Sequence, residues 1–443
     1  MDGSFAALAG AGAFTRMAGG AAVATPERAH SPVRLAALAD MTTVQDAWNN
    51  LAANTIEPNV FFEPWMLLPA ARAYADETNL RFLLVYSRAR SVANSPVILI
   101  GLLPLERVSR WLGLPVASYR LWTYPHCYLG TPLIRAGYED ECLAVIFDWL
   151  ANTQGGPALV EFNTVSAGGR FNQALMRQLQ ARNAAAFVGA FKTRAVFRQG
   201  ANADAFLRSG IAGRHRKELR RRSSRLAELG TVAVRMLEPT DDAAQWVEQF
   251  LDLERRGWKG RGGTALDATK ADRAFFRSLV EAAFRQGRLQ MLALTLDGRP
   301  IAMKCNLLAG NGGFAFKIAY DEAYARFSPG VLLEVEMVRA LHQPGAPAWM
   351  DSCAVPDHFM INRLWPDRTS IHSVLVATGR GAGALIVASL PLLRLLRRKL
   401  TRRGQHLAPP AASQGPATLQ GVDHDEPCPD LDATKPGFAV AGR

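Results

Sequence analysis

The chain has 443 residues, 49% of them hydrophobic, enough to bury a large core, and by the usual size of domains it reads as two domains rather than one. Its 51 Lys+Arg against 39 Asp+Glu leave a formal net charge of +12, which points to an anionic partner: nucleic acid, a membrane surface or a nucleotide ligand. The cysteines (Cys127, Cys142, Cys305, Cys353, Cys428) are odd in number and scattered, without CxxC or metal-like spacing. This argues against a disulfide framework or a zinc site and fits a reducing cytoplasm.

In chain order, residues 1–39 are rich in Ala and Gly, carry Asp2 where a secretion signal needs positive charge, and read as a disordered leader. Helical patterns at 42–53 and 63–77 precede strand-like runs at 81–87, 96–108 and 118–129, then a helix at 138–153 and a strand at 158–165. The second half repeats this order: helices at 241–257 and 270–287, strands at 289–296, 301–308 and 313–320, a helix from about Pro329 and a strand at 348–353. The turns DGRP and AGNGG have good hairpin chemistry. The expected organisation is a first domain at 40–200, a basic linking helix at 201–235, a second domain at 236–375, a basic amphipathic helix at 376–403 and a disordered tail at 404–443. The fold class is α+β, each half a mostly antiparallel sheet with helices against it.

Between the halves, GRHRKELRRRSSRLAELG carries seven basic residues from Arg214 to Arg225, with Leu219, Leu226 and Leu229 at helical spacing. It reads as a linking helix with a solvated basic face, or as an electropositive wall beside a cleft. In KIAYDEAYARFSPGVLLEVEMVRAL (317–341), Ser328 is placed to cap a helix, Pro329 is preset for its first turn and Gly330 lets an anion approach the backbone. Such a helix start suits a phosphate or pyrophosphate. Trp258 and Lys259 precede the flexible GRGGT, a segment suited to closing over a substrate. Near the C-terminus, GALIVASLPLLRLLRRKLTRR is too short in its apolar part to span a bilayer and is broken by Pro391 and Arg394. It reads as a last helix packed on its domain, or as one lying on an anionic membrane surface.

FFEPWMLLPAARAY, GRHRKELRRR, LERRGWKG and the 317–341 stretch together resemble the cellulose-biosynthesis-type GNAT proteins, themselves similar to the tandem-domain Fem-type transferases. The resemblance covers about residues 40–375 and implies two tandem GNAT-like domains, the first degenerate. In that branch a Tyr-Asp pair, then Tyr/Phe-Ser-Pro-Gly, a helix and an acidic strand residue follow one another. Here these are Tyr320-Asp321, Phe327-Ser328-Pro329-Gly330 and Asp351. The phosphate loop departs from the usual pattern, keeping only Gly330 and the helix start.

The resemblance implies acetyl-CoA or another acyl-CoA as cosubstrate, held by Phe327, Ser328, Pro329, Gly330, Val331 and Leu332, with no metal. Acyl transfer to an amine needs placement and a route for a proton. Asp351 is the first candidate for general base or for orienting the amine, His358 the second, and Tyr320 or Tyr324 a donor to the leaving thiolate. Lys317, Asp321, Trp258 and Lys259 are candidates for substrate binding. The expected partner is a small-molecule or saccharide amine, with a membrane surface through the C-terminal basic helix as a further option; nucleic acid is not expected. The implied location is cytoplasmic, with peripheral attachment at the inner membrane face as an option. Two other readings stand beside this one: Fem-like transfer from aminoacyl-tRNA, and a non-catalytic scaffold in polysaccharide biosynthesis.

Overall fold

A computed structural model describes residues 32–90, 95–379 and 381–406. The greater parts of the expected leader and tail, 1–31 and 407–443, lie outside the described residues. Within the expected leader, Val33–Ala36 forms strand β1, paired antiparallel with the next strand, so regular structure starts earlier than the composition suggested.

The first half continues through helices α1 (Gln45–Ala53) and α2 (Pro64–Tyr74), strands β2 (Leu80–Arg88), β3 (Val97–Val108), β4 (Ser118–Leu121) and β5 (Leu133–Ile134), then α3 (Glu139–Asn152), β6 (Leu159–Ser166) and α4 (Arg170–Ala181). Strands β7 (Ala186–Val188) and β8 (Lys192–Arg198) lead to α5 (Ala203–Gly210) and the basic helix α6 (Gly213–Ala227). The second half holds β9 (Val232–Met236), α7 (Ala243–Arg256), the short α8 (Trp258–Arg261), α9 (Lys270–Arg285), β10 (Leu289–Leu296), β11 (Arg299–Ala309) and β12 (Gly312–Tyr320). It ends with α10 (Pro329–Ala340), β13 (Trp349–Asp351), α11 (Ile361–Leu364), β14 (Asp367–Ala377) and α12 (Ala382–His406).

Among the described residues the strands join one mixed sheet in the order β1-β2-β3-β4-β6-β14-β8-β13-β12-β11-β10-β9, with β5 added beside β3 and β7 beside β14. The two halves exchange strands at its centre. β8, from the first half of the sequence, pairs antiparallel with β13, while β14, from the end of the second, fills the place beside β6. Each half thereby completes the other's sheet. A single apolar cluster runs through both, bringing Phe61, Phe62 and Trp65 together with Phe250, Phe276 and Phe314. Burial of side chains this large is the main favourable term in folding, each worth on the order of 2–3 kcal/mol.

The DG turn expected after β10 is observed: Leu296 pairs with Arg299, and Asp297 and Gly298 take φ of 48° and 78°, the mirror-image turn that suits twisted strands. The run 118–129 was expected as one strand, but only Ser118–Leu121 pairs. Pro125 cannot donate to a ladder, and Trp122 and Tyr124 leave the sheet to fill the shared core instead. β8 and β14 were not expected at all. Among the described residues no helix is long and apolar enough to cross a membrane.

Candidate functional site

The site forms where β12 parts from β13. The two run parallel only from Gly312–Phe314 against Trp349–Asp351. Beyond that, Cys353 turns away with φ of 54°, and among the described residues no strand pairs with β12 from Ala315 to Tyr320 on that side. A bulge sharpens the divergence: Cys305 pairs with Lys317 but Asn306 with Ala315, leaving Phe316 as an extra residue. The result is a wedge lined by open backbone, the geometry that receives an extended amide-bearing chain.

α10 starts at the wide end of the wedge. Pro329 lacks an N–H, Leu332 N donates to Ser328 O at 3.1 Å, and among the described residues no acceptor meets Gly330 N or Val331 N. Two amides at a helix start, with the helix dipole behind them, make an anion site. Ser328 does not cap as expected. It sits in a left-handed conformation (φ 53°) and its hydroxyl accepts a hydrogen bond from Arg222 of α6 instead. The basic helix is thus set against the helix start, with Arg222 also holding Glu218 at 3.0 Å. Phe327 is buried beneath, with Arg326 over its ring at 4.7 Å, and Val331 and Leu332 pack on the same cluster. A Cβ on Gly330 would meet Tyr320 Cδ1 at 3.6 Å, an ordinary contact, so the protein itself does not require glycine there.

The remaining expected residues divide. Asp321 caps the 3-10 turn Glu322–Phe327 by accepting from Ala323 N at 3.0 Å, so a structural task occupies it. Trp258 donates its backbone N–H to Glu322 at 2.5 Å, and Lys259 bridges Glu254 at 2.8 Å and Ile318 O at 3.0 Å, fastening α8 to the open edge of β12. Lys317 follows the bulge, with its ammonium 5.8 Å from the ring centres of both Tyr128 and Phe316.

Asp351 departs most from expectation. Arg194 Nη2 donates to its Oδ2 at 2.7 Å, Arg194 Nε lies 2.7 Å from Oδ1, and Cys353 N donates to Oδ1 at 2.9 Å. Both oxygens of this buried carboxylate are already engaged, by the guanidinium and a backbone amide. Its visible task is to hold β13 to β8. His358, in the loop after β13, is mostly buried. Burial lowers its pKa against the opposing pull of Glu334, so the ring is neutral near pH 7. Its Nδ1 accepts from Ile361 N at 3.4 Å, which leaves the proton on Nε2.

Sequence reasoning missed the group facing the bulge. Tyr74 from α2 donates to Asp272 Oδ1 of α9 at 2.7 Å, and His126 Nε2 lies 3.4 Å from the same oxygen. His126 is buried, stacks on Phe275 and meets Phe316, the bulge residue, edge-on at 6.1 Å. Desolvation lowers its pKa while the Asp272 hydrogen bond opposes, so the neutral ring donates from Nε2 and keeps a lone pair on Nδ1, which has no partner. The hydrogen bond from His126, with those from Thr269 and Tyr74, in turn holds the Asp272 carboxyl far below the usual range. A second buried pair, Lys304 with Glu334, lies under α10 and leaves Glu334 Oε2 without a partner.

Residues 213–359 match the acetyltransferase (GNAT) domain family. The open β12 edge and the α10 start fall inside that match, so the site lies in a segment that matches an acetyltransferase (GNAT) domain. No curated protein matches the sequence. Among solved structures, FemX is similar at 11% identity and a TM-score of 0.48, covering 74% of this chain and 95% of that one. The C-terminal domain of a putative lysylphosphatidylglycerol synthetase from Agrobacterium fabrum is similar at 13% identity and 0.42, covering 80% and 96%. A tandem GNAT protein from the clavulanic acid biosynthesis pathway gives 12% and 0.39, covering 79% and 99%. At such scores the likeness carries no argument about substrate.

Proposed function

We propose that the protein transfers an acyl group from acetyl-CoA or another acyl-CoA to an amine of a small molecule or a polysaccharide precursor. The observation that carries this reading is the pair of unpartnered amides at Gly330 and Val331 beside the open edge of β12, with Arg222 against the helix start. Diphosphate oxygens accept from those amides while the pantetheine arm lies along the edge toward the bulge. The two neutral histidines then fit complementary tasks. His126, with its Nδ1 lone pair, accepts the amine proton as the carbon–nitrogen bond forms. His358, with its Nε2–H, donates a hydrogen bond to the departing sulfur, which leaves as the thiolate and takes its proton from solvent. Lys317 and Tyr128 stand beside the bulge on the His126 side, where the acceptor enters. The exposed residues of α6 keep tRNA-dependent transfer as the competing reading.

Gly330→Glu tests the assignment. The side chain fits beside Tyr320, and an acid in the first turn favours the helix, so the fold is retained. Acetyl-CoA at about 100 times its dissociation constant should stabilise the wild type by about 2.7 kcal/mol in a thermal-shift measurement, and the variant not at all. Equal stabilisation of both removes the site from α10. Stabilisation by tRNA and not by acetyl-CoA favours the competing reading.

A further inference from the structure

Helix α12 is apolar on two sides. Its inner side packs against the sheet: Val387 is buried with Leu159, Leu375 and Ala377, joined by Ala384, Ile386 and Leu390. Its outer side is left bare, with Leu385 74%, Leu392 60%, Leu393 55% and Leu395 55% exposed. Leu385 and Leu392, seven residues apart, project from the same side, roughly opposite Val387.

A second bare apolar feature belongs to the same end of the molecule. The turn between β3 and β4 places Trp111 in the cluster that holds α12, while Leu112 is 80% and Leu114 46% exposed at its tip. Leu112 and Gly113 take φ of 47° and 84°, and Leu114 N donates to Trp111 O at 2.9 Å. A turn of this kind ordinarily carries Asn, Asp or Gly, so an exposed leucine in the left-handed region is unfavourable for the isolated chain. Exposed apolar groups on two features that share one cluster mark an interaction face.

Charge selects the occupant. The sequence of α12 contains Arg394, Arg397, Arg398, Lys399, Arg402 and Arg403 and no acidic residue, and Arg107 and Arg110 are exposed next to the turn. A second copy of the chain would bring like charges together on this face. A surface of anionic lipid is complementary in both respects, offering an apolar layer beneath phosphates. We propose that α12 lies in the plane of an anionic bilayer interface, with Leu385, Leu392 and Leu393 and the turn residues Leu112 and Leu114 entering the headgroup layer and the basic end of the helix against the lipid charge. This does not rest on the acyl-transfer reading.

Flotation of the full chain with phosphatidylcholine vesicles, with and without phosphatidylglycerol, is the test. The protein should float with the phosphatidylglycerol vesicles only, and release as salt rises from about 0.1 M to about 1 M, where the screening length falls from roughly 10 Å to 3 Å. The double variants Leu112→Ser/Leu114→Ser and Leu392→Ser/Leu393→Ser should each weaken binding about tenfold or more while circular dichroism and melting stay unchanged, since these side chains are exposed. Absence of wild-type binding overturns the proposal, as does equal binding by both variants. A concentration-dependent dimer lost in the variants, with vesicles left unbound, would assign the face to a second copy instead.

Discussion

His126 shows how much chemistry can rest on one tautomer. Its ring is neutral because burial outweighs the attraction of Asp272, and Asp272 fixes the proton on Nε2. If Nδ1 receives the acceptor's proton, His126→Ala should lower turnover about 100-fold while leaving acetyl-CoA affinity unchanged, and added imidazole should restore part of the rate. Steady-state kinetics with and without imidazole checks this, and an unaltered rate assigns the histidine to packing between the halves. Nothing in the sequence pointed to it. The dyad joins residues 146 positions apart, and the stretch around His126 read as an ordinary strand. By contrast, Gly330, Pro329 and Ser328 were legible as a helix start because turn and capping preferences act over a few neighbouring residues. Even there, Ser328 went to Arg222, a contact local rules do not describe.

At the scale of elements, Asp351 matters through the strands it joins. Its carboxylate and the Arg194 guanidinium pin β13 to β8 in a setting where both side chains are under a tenth exposed. Removing one member leaves a buried charge without its partner, so Asp351→Asn should cost about 3 kcal/mol, read as a lowered urea midpoint. A role confined to chemistry would leave the midpoint in place. The β10–β11 hairpin, the β12 loop and α10 were readable because each is sealed by contacts within one stretch. The strand expected at 118–129 failed because its aromatic residues serve a core shared between halves, not a neighbouring strand.

For the whole molecule, the strand exchange makes the stability of the two halves interdependent, and partly or fully desolvated histidines give that stability a pH dependence. Desolvation lowers the pKa of His126, His215, His358 and His372. The unfolded chain therefore binds more protons as pH drops below about 6.5, and stability falls in that direction. Glu57, Glu63 and Glu161 act oppositely, because burial raises their pKa and their contribution grows as they protonate. Their window starts at about 4.5 and runs upward from there, while Asp272 begins to cost stability only below about 4. Urea unfolding should show a lower midpoint at about pH 6 than at about pH 7.5. An unchanged or higher midpoint at the acid end would mean that the histidines do not outweigh the buried glutamates.

The sequence by itself determined the alternation of helices and strands in two similar halves, the hairpins of the second half and the amide-bearing start of α10, because periodicity, turn chemistry and capping are properties of short segments. Tertiary structure alone decided that β8 and β14 change places, that Asp351 is spent on Arg194, and that Tyr74, Asp272 and His126 meet beside the bulge. Those outcomes depend on which buried polar groups find partners once distant segments pack, and no local pattern records that choice.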